Sequence, residues 1–195
     1  MLIVTDKPCT AGASSPDGLT GPHVRLWPYV PGAYGRDALY RVWRAMEADG
    51  ATRQAFWDET DPTTGADLAT FIRLFDGVPS KLLLMIERAN VLVGCFWLSD
   101  IRPGHQAFAS MWMDKAARGR WTHEAAQLAL GYSLATFQLQ QLWALTPWPH
   151  AGTLCVRMGF RLVASLPEFC QRGVDRLPVS VYRLTKEHYY GLDIS

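Results

Sequence analysis

Apolar residues recur along the chain with two different periods. From Asp37 to Ala48 (DALYRVWRAMEA), Leu39, Val42, Trp43 and Met46 share one face at helical spacing, and Asp37 is placed to cap the helix. Ala66 to Phe75 reads as a second, shorter helix, with the acidic segment Asp58, Glu59 and Asp61 as loop between the two. The middle of the chain changes period. Lys81 to Arg88 and Val91 to Asp100, joined at Ala89-Asn90, predict a hairpin, and Gln106 to Met113 a third strand after the turn Arg102-Pro103-Gly104. Met113 to Phe137 reads as the end of that strand, a short basic loop and a helix of about four turns. Thr122 is its expected N-cap, Glu124 suits its first turn, and Ala126, Leu130, Leu134 and Phe137 form its apolar face. Leu142 to Thr146 is a further strand, Ala151 to Met158 a short helix, and Phe160 to Leu166 and Val179 to Thr185 the last strands.

Nearer the start, His23 to Tyr29 reads as a short strand with Pro28 at an edge or at its end. The run CTAGASSPDGLTGP before it cannot bury much apolar surface, so residues 1–22 are expected as an arm or linker ahead of a single domain, 23–195. Three sequential strands with short connections predict an antiparallel meander, and the strand–helix–strand unit after it a parallel pair.

Composition narrows the class. With 49% hydrophobic and 19% charged residues, 195 residues can bury a sizeable core. A formal charge of +1 gives no global reason to expect nucleic acid or an acidic membrane as partner. No basic n-region with an apolar run opens the chain, and no segment has the length of a membrane span, so the expected address is the cytoplasm. Cys9, Cys95, Cys155 and Cys170 are scattered without a CxxC pair, and the five histidines show no metal-ligand spacing; no metal site is expected. Trp112, Trp121, Trp143 and Trp148 raise a base-stacking hypothesis, but Trp112 and Trp143 fall in strands and read better as core, so direct nucleic-acid binding is not expected.

Candidate chemistry gathers at the basic loop. The first amides of a helix and the positive end of its dipole form an anion site, and Lys115, Arg118 and Arg120 stand where they add charge to it. This element order, the run Arg118-Gly-Arg-Trp-Thr-His-Glu-Ala125 and the Met158-Gly159-Phe160 end of the short helix resemble the GNAT superfamily of acyl-CoA N-acyltransferases over roughly residues 23–186. The run is similar to the family's common RGKGIGEA, and the late Asp175-Arg-x-Pro-x-x-x-Tyr-Arg183 segment resembles GNAT-like proteins of tailed-phage genomes. The resemblance implies an α/β (α+β) fold: a mixed, mostly antiparallel sheet of six to seven strands flanked by about four helices. It also implies acetyl-CoA as cofactor. The loop Arg118, Gly119, Arg120, Trp121, Thr122 and His123 would hold the pyrophosphate, the strand carrying Met111 and Met113 would pair with the pantetheine arm, and an amine would enter beside helices 37–48 and 66–75.

Several positions depart from the family's pattern. Trp121 and His123 stand where it usually has two glycines, which admit unusual torsions and leave room for phosphate oxygens. Cys155 stands where a tyrosine often protonates the departing thiolate; a thiol can donate a proton, but a small core cysteine packing on the sheet is the favoured reading. Trp148, between Pro147 and Pro149, replaces a frequent asparagine. An ammonium must lose a proton before it attacks a thioester, and Asp114, His123, Glu87, Asp100 and His105 are the ionisable candidates by location, with Ser110 in the strand itself. The expectation is an acetyl-CoA-dependent N-acetyltransferase for a small-molecule or protein amine, with Cys155, His123 and Asp114 as catalytic candidates. The alternative is a GNAT-fold protein that has lost catalysis and serves a binding or structural role in a larger, phage-type assembly, in the host cytoplasm, with residues 1–22 reaching a neighbouring subunit or a second copy.

Overall fold

The computed structural model describes residues 18–31, 33–52, 68–75, 81–172 and 175–191. In chain order its elements are β1 (Leu19–Thr20), β2 (Arg25–Pro28), α1 (Ala33–Ala48), α2 (Leu68–Phe75), β3 (Leu82–Arg88), β4 (Val91–Arg102) and β5 (Gln106–Met113). A 3-10 turn (Lys115–Ala117) precedes α3 (Arg120–Thr136), β6 (Gln141–Thr146), α4 (Pro149–Arg157), β7 (Arg161–Arg172), β8 (Asp175–Thr185) and α5 (Lys186–Gly191). The strands form one eight-stranded sheet in the order β1-β2-β3-β4-β5-β6-β8-β7. Every neighbouring pair is antiparallel except β5 and β6. The antiparallel meander and the parallel strand–helix–strand unit are therefore both present.

The apolar runs of β3 and β4 are continuous rather than alternating because both faces of the sheet are covered. Leu84, Ile86, Phe96 and Leu98 meet α3 on one side, through Ala125, Ala126, Ala129, Leu130 and Leu134. Leu83, Met85, Cys95, Trp97 and Trp112 meet α1 and α2 on the other, through Leu39, Val42, Trp43, Met46, Phe71 and Phe75. Trp112 is thus core, while Trp143 is half-buried with its Nε1 donating to Gln106 Oε1 at 3.2 Å. The β3–β4 connection places Ala89 and Asn90 at φ 48° and 64°, the paired left-handed torsions of a tight hairpin.

Several boundaries differ from the sequence reading, each for a physical reason. The sheet has eight strands rather than six or seven because Leu19 and Thr20 pair with Leu26 and Arg25, so the turn-rich stretch joins the sheet before residue 23. Residues 1–17, and the acidic loop with Asp58, Glu59 and Asp61, lie outside the described residues. Helix α1 begins at Ala33, ahead of Asp37. Five helices are described, the fifth being α5 after the last strand. Helix α4 starts at Pro149, a residue suited to a first helical turn because its missing N–H would have no partner there. Strand β7 runs past Leu166 to Arg172: it lies at the sheet's edge, where Pro167 and a break in register between Leu166 and Cys170 are tolerated.

Candidate active site

Strands β5 and β6 pair over only three positions, Gln106 with Gln141, Ala107 with Leu142 and Phe108 with Trp143. Beyond them the two strands part. A slot of about 150 Å³ opens between Ala109, Ser110 and Met111 on one side and Ala144, Leu145 and Thr146 on the other. Ala126 and Leu130 of α3 line it as well, with Trp148 and the α4 face carrying Cys155. Trp148 forms part of the wall and leaves the slot open; its backbone N–H donates to Thr146 Oγ1 at 3.0 Å, which fixes the turn into α4. Trp121 stays out of the slot. It packs half-buried on the α3 side of the core with the Arg88 guanidinium 3.6 Å from its ring centroid.

The loop from β5 to α3 is tightly built. Asp114 N–H donates to Val93 O at 2.8 Å, and its Oδ1 accepts from Ala116 N–H at 2.8 Å, capping the 3-10 turn. Ala117 is buried beneath the turn. Arg118 Nε donates to Met113 O at 3.1 Å. The carboxylate of Asp49, one residue past α1, receives both loop cations: Lys115 Nζ lies 2.8 Å from Oδ1, and Arg118 Nη2 pairs with Oδ2. Burial by itself raises the pKa of Asp49, but the close ion pairs with Lys115 and Arg118 outweigh it and hold the carboxyl below its ordinary range.

Gly119, not Thr122, is the N-cap of α3. Its torsions, φ 102° and ψ −129°, belong to glycine, and an added Cβ there would meet no atom within 4 Å, so the chain faces open space. Helix α3 therefore starts one turn earlier than the Thr122 hydroxyl suggested, and the first intrahelical bond recorded at its start is from His123 N–H to Gly119 O at 3.3 Å. The amides ahead of His123 have no acceptor within the helix. Thr122 Oγ1 is buried without a hydrogen-bond partner. Glu124 lies beyond the first turn; its Oε1 accepts from His23 and Val24 N–H at 2.7 and 3.1 Å and ties the β1–β2 turn to α3.

The remaining expected site residues fall into two groups. Met111 lines the slot, whereas Met113 is buried in the α3-side core and reaches the loop only through its carbonyl. Arg120 opens α3, and its side chain lies outside the described residues. His123 is half-buried on the first turn. Cys155 is the one ionisable side chain lining the slot among the described residues, and burial pushes its thiol up to about 12. Glu87, Asp100 and His105 lie outside the slot lining. No group of three or more potential metal ligands occurs among the described residues. Asp49 went unnoticed in the sequence, where it reads as an ordinary polar residue at a helix end.

No protein-family model matches the sequence, and no curated protein matches it. Solved structures do match in three dimensions. Spermidine N-acetyltransferase from Vibrio cholerae, in complex with CoA and spermine, superposes with a TM-score of 0.70 at 15% identity, covering 87% of this chain and 99% of that one. An acetyltransferase from Salmonella typhimurium that modifies the N-terminal serine of ribosomal protein L7/L12 gives 0.69 at 13% identity, covering 85% and 96%. The microcin C7 self-immunity acetyltransferase, in complex with acetyl-CoA and AMP, gives 0.69 at 13% identity, covering 88% and 97%. The splayed β5–β6 pair, the glycine-capped α3 and these superpositions together establish that the chain has the fold of the GNAT acetyltransferases.

Proposed function

We propose that the protein is an acetyl-CoA-dependent N-acetyltransferase acting on a primary amine. The observation that carries this reading is the slot: two parallel strands that separate after three residue pairs, lined by apolar side chains that include Met111 of β5 and Ala126 and Leu130 of α3, the two elements joined by a loop that ends in an open, glycine-capped helix start. The residues present suit the group. Gly119 faces open space, and the orphaned Thr122 hydroxyl and the first amides of α3 are donors for phosphate oxygens. The exposed edge of β5 from Ala109 to Met111 suits an amide-bearing arm.

Acetyl-CoA would bring an activated thioester; the chain's own groups bind, orient and move protons. Phe96, Leu130, Leu145 and Phe160 give the slot apolar walls, a poor environment for water once a ligand fills it. Cys155 keeps its proton at neutral pH and offers it at Sγ as a hydrogen bond to a departing thiolate, which would take its proton from the amine through water. His123 and the uncapped carboxylate oxygen of Asp114 are the proton acceptors closest in sequence to the loop, and they would act on the amine through water. The neighbours whose descriptions name a substrate act on amines, a polyamine in one case and a protein N-terminus in another, and the same chemical class is proposed here. The acceptor would approach from α1 and α2.

The second reading is a GNAT-fold protein without catalysis, of the kind a phage-type assembly would use. It draws on Lys115 and Arg118, both engaged by Asp49, and on Trp121 at a position the family reserves for glycine. Calorimetry and thermal melting with acetyl-CoA separate the two. Ligand at about 100 times Kd should stabilise the fold by about 2.7 kcal/mol. No heat and no shift in melting at millimolar acetyl-CoA would abandon the enzyme.

A further inference from the structure

The β5–α3 loop is held from outside itself. Asp49 is 69 residues from Arg118 in sequence, yet its side chain, 5% exposed, sits between the end of α1 and the loop. Its two oxygens divide the loop's cations, Oδ1 to Lys115 and Oδ2 to Arg118, and Arg118 spends its Nε on Met113 O. Asp49 is itself fixed by its backbone N–H, which donates to Ala45 O at 3.0 Å, and the α1 turn above it is anchored by the buried Val42, Trp43 and Met46. The end of a helix packed on one face of the sheet thus grips both ends of the segment that leads into Gly119 and its unusual torsions.

We infer that Asp49 is a positioning residue for the cofactor loop: by clamping Lys115 and Arg118 it sets the path of residues 115–119, and with it the direction in which the first amides of α3 point. The inference rests on the acetyltransferase reading. It reverses the role that the sequence suggests for the two cations. Arg118 is directed at the loop's own frame and at Asp49, so the anion is met by backbone donors held in place, and the cations act by fixing those donors. Because α1 also borders the side from which the amine is proposed to enter, one carboxylate ties the acceptor side of the domain to the cofactor side.

The test compares full-length wild type with Asp49→Asn, which keeps the shape and removes the charge, and Asp49→Glu, which restores it. Acetyl-CoA affinity is measured by calorimetry, and amide hydrogen exchange is followed across residues 114–122. Outer-shell partners that orient metal ligands cost about 10–100-fold when removed; taking the lower end of that range for a loop held by one carboxylate, Asp49→Asn should raise Kd about tenfold, with Asp49→Glu between it and wild type. Exchange should quicken in 114–122 and stay unchanged in β3 and β4. A folded Asp49→Asn with unchanged or tighter Kd overturns the inference, because freed cations that simply attract the anion would strengthen binding. Heat absent from wild type as well would remove the acetyltransferase reading and this inference together; heat in wild type with equal Kd in the variant removes the inference alone. Should Asp49→Asn fail to fold, Lys115→Met, at a side chain 70% exposed, takes its place: quickened exchange in 114–122 is expected, and unchanged protection overturns the clamp.

Discussion

Alanine at Gly119 isolates the backbone geometry of the loop from its charge. The residue holds φ 102° and ψ −129°, where the side chain of an L-residue collides with its own backbone, at a cost of order 1–3 kcal/mol. No atom lies within 4 Å of the added Cβ, so packing contributes nothing and the torsional strain is the entire penalty. For a chain of 195 residues, one kcal/mol corresponds to roughly 2–4 °C in melting temperature, so the loss should be roughly 2–12 °C. Gly50 supplies the internal control: it is equally unobstructed but sits at φ 66°, in the ordinary left-handed well, where alanine costs about 1–2 kcal/mol. Urea unfolding followed by far-ultraviolet circular dichroism should rank Gly119→Ala below Gly50→Ala, with equal slopes. If the loop instead relaxes to relieve the strain, the start of α3 turns and acetyl-CoA binding weakens while stability is kept. A Gly119→Ala protein as stable as wild type and with unchanged Kd would refute the geometry.

Three further outcomes are expected. Burial pushes the Cys155 thiol up to about 12, so alkylation at pH 7–8, localised by mass spectrometry, should leave Cys155 largely unmodified in the native protein; rapid labelling would contradict its protonated state. Asp49 has a folded pKa below its reference of 3.8, so its contribution to stability is present above that value and is lost as pH falls through the folded pKa. The stability gap between wild type and Asp49→Asn should therefore be constant near pH 6–7 and shrink in acid below about 4, and a gap that widens there would show the opposite sign. At Gly152, an added Cβ would lie 2.3 Å from Tyr182 Oη and 3.1 Å from its Cζ, so Gly152→Ala should cost about 1–3 kcal/mol and displace the helix that carries Cys155. Removing the hydroxyl with Tyr182→Phe should recover part of that loss in a double-mutant cycle, and strict additivity would count against the contact.

Much of the fold is legible in the sequence because its signals are local. The Ala89-Asn90 turn, the 106–113 strand and the apolar face from Ala126 to Leu134 each depend on residues a few positions apart, and the structure places them as their spacing predicts. The edges of elements were less legible. Thr122 carries the usual chemistry of an N-cap, yet the helix starts at Arg120 because Gly119 can take torsions that admit a cap one turn earlier. Strand β7 continues through Pro167 because an edge strand has an unpaired side, and nothing in the residues themselves states which strand lies at an edge.

The candidate site divides the same way. The sequence by itself determined that a basic loop opens a long helix between two strands, and that Cys155 lies on the short helix after them. The tertiary structure decided that those strands part after three pairs to leave a slot, that Trp148 walls it and Trp121 stays outside it, and that Lys115 and Arg118 turn to Asp49. Periodicity and turn chemistry act over a few residues and are written where they act. A carboxylate that meets its partner 69 residues away does so only because α1, β4 and β5 pack together, and no local pattern records that meeting.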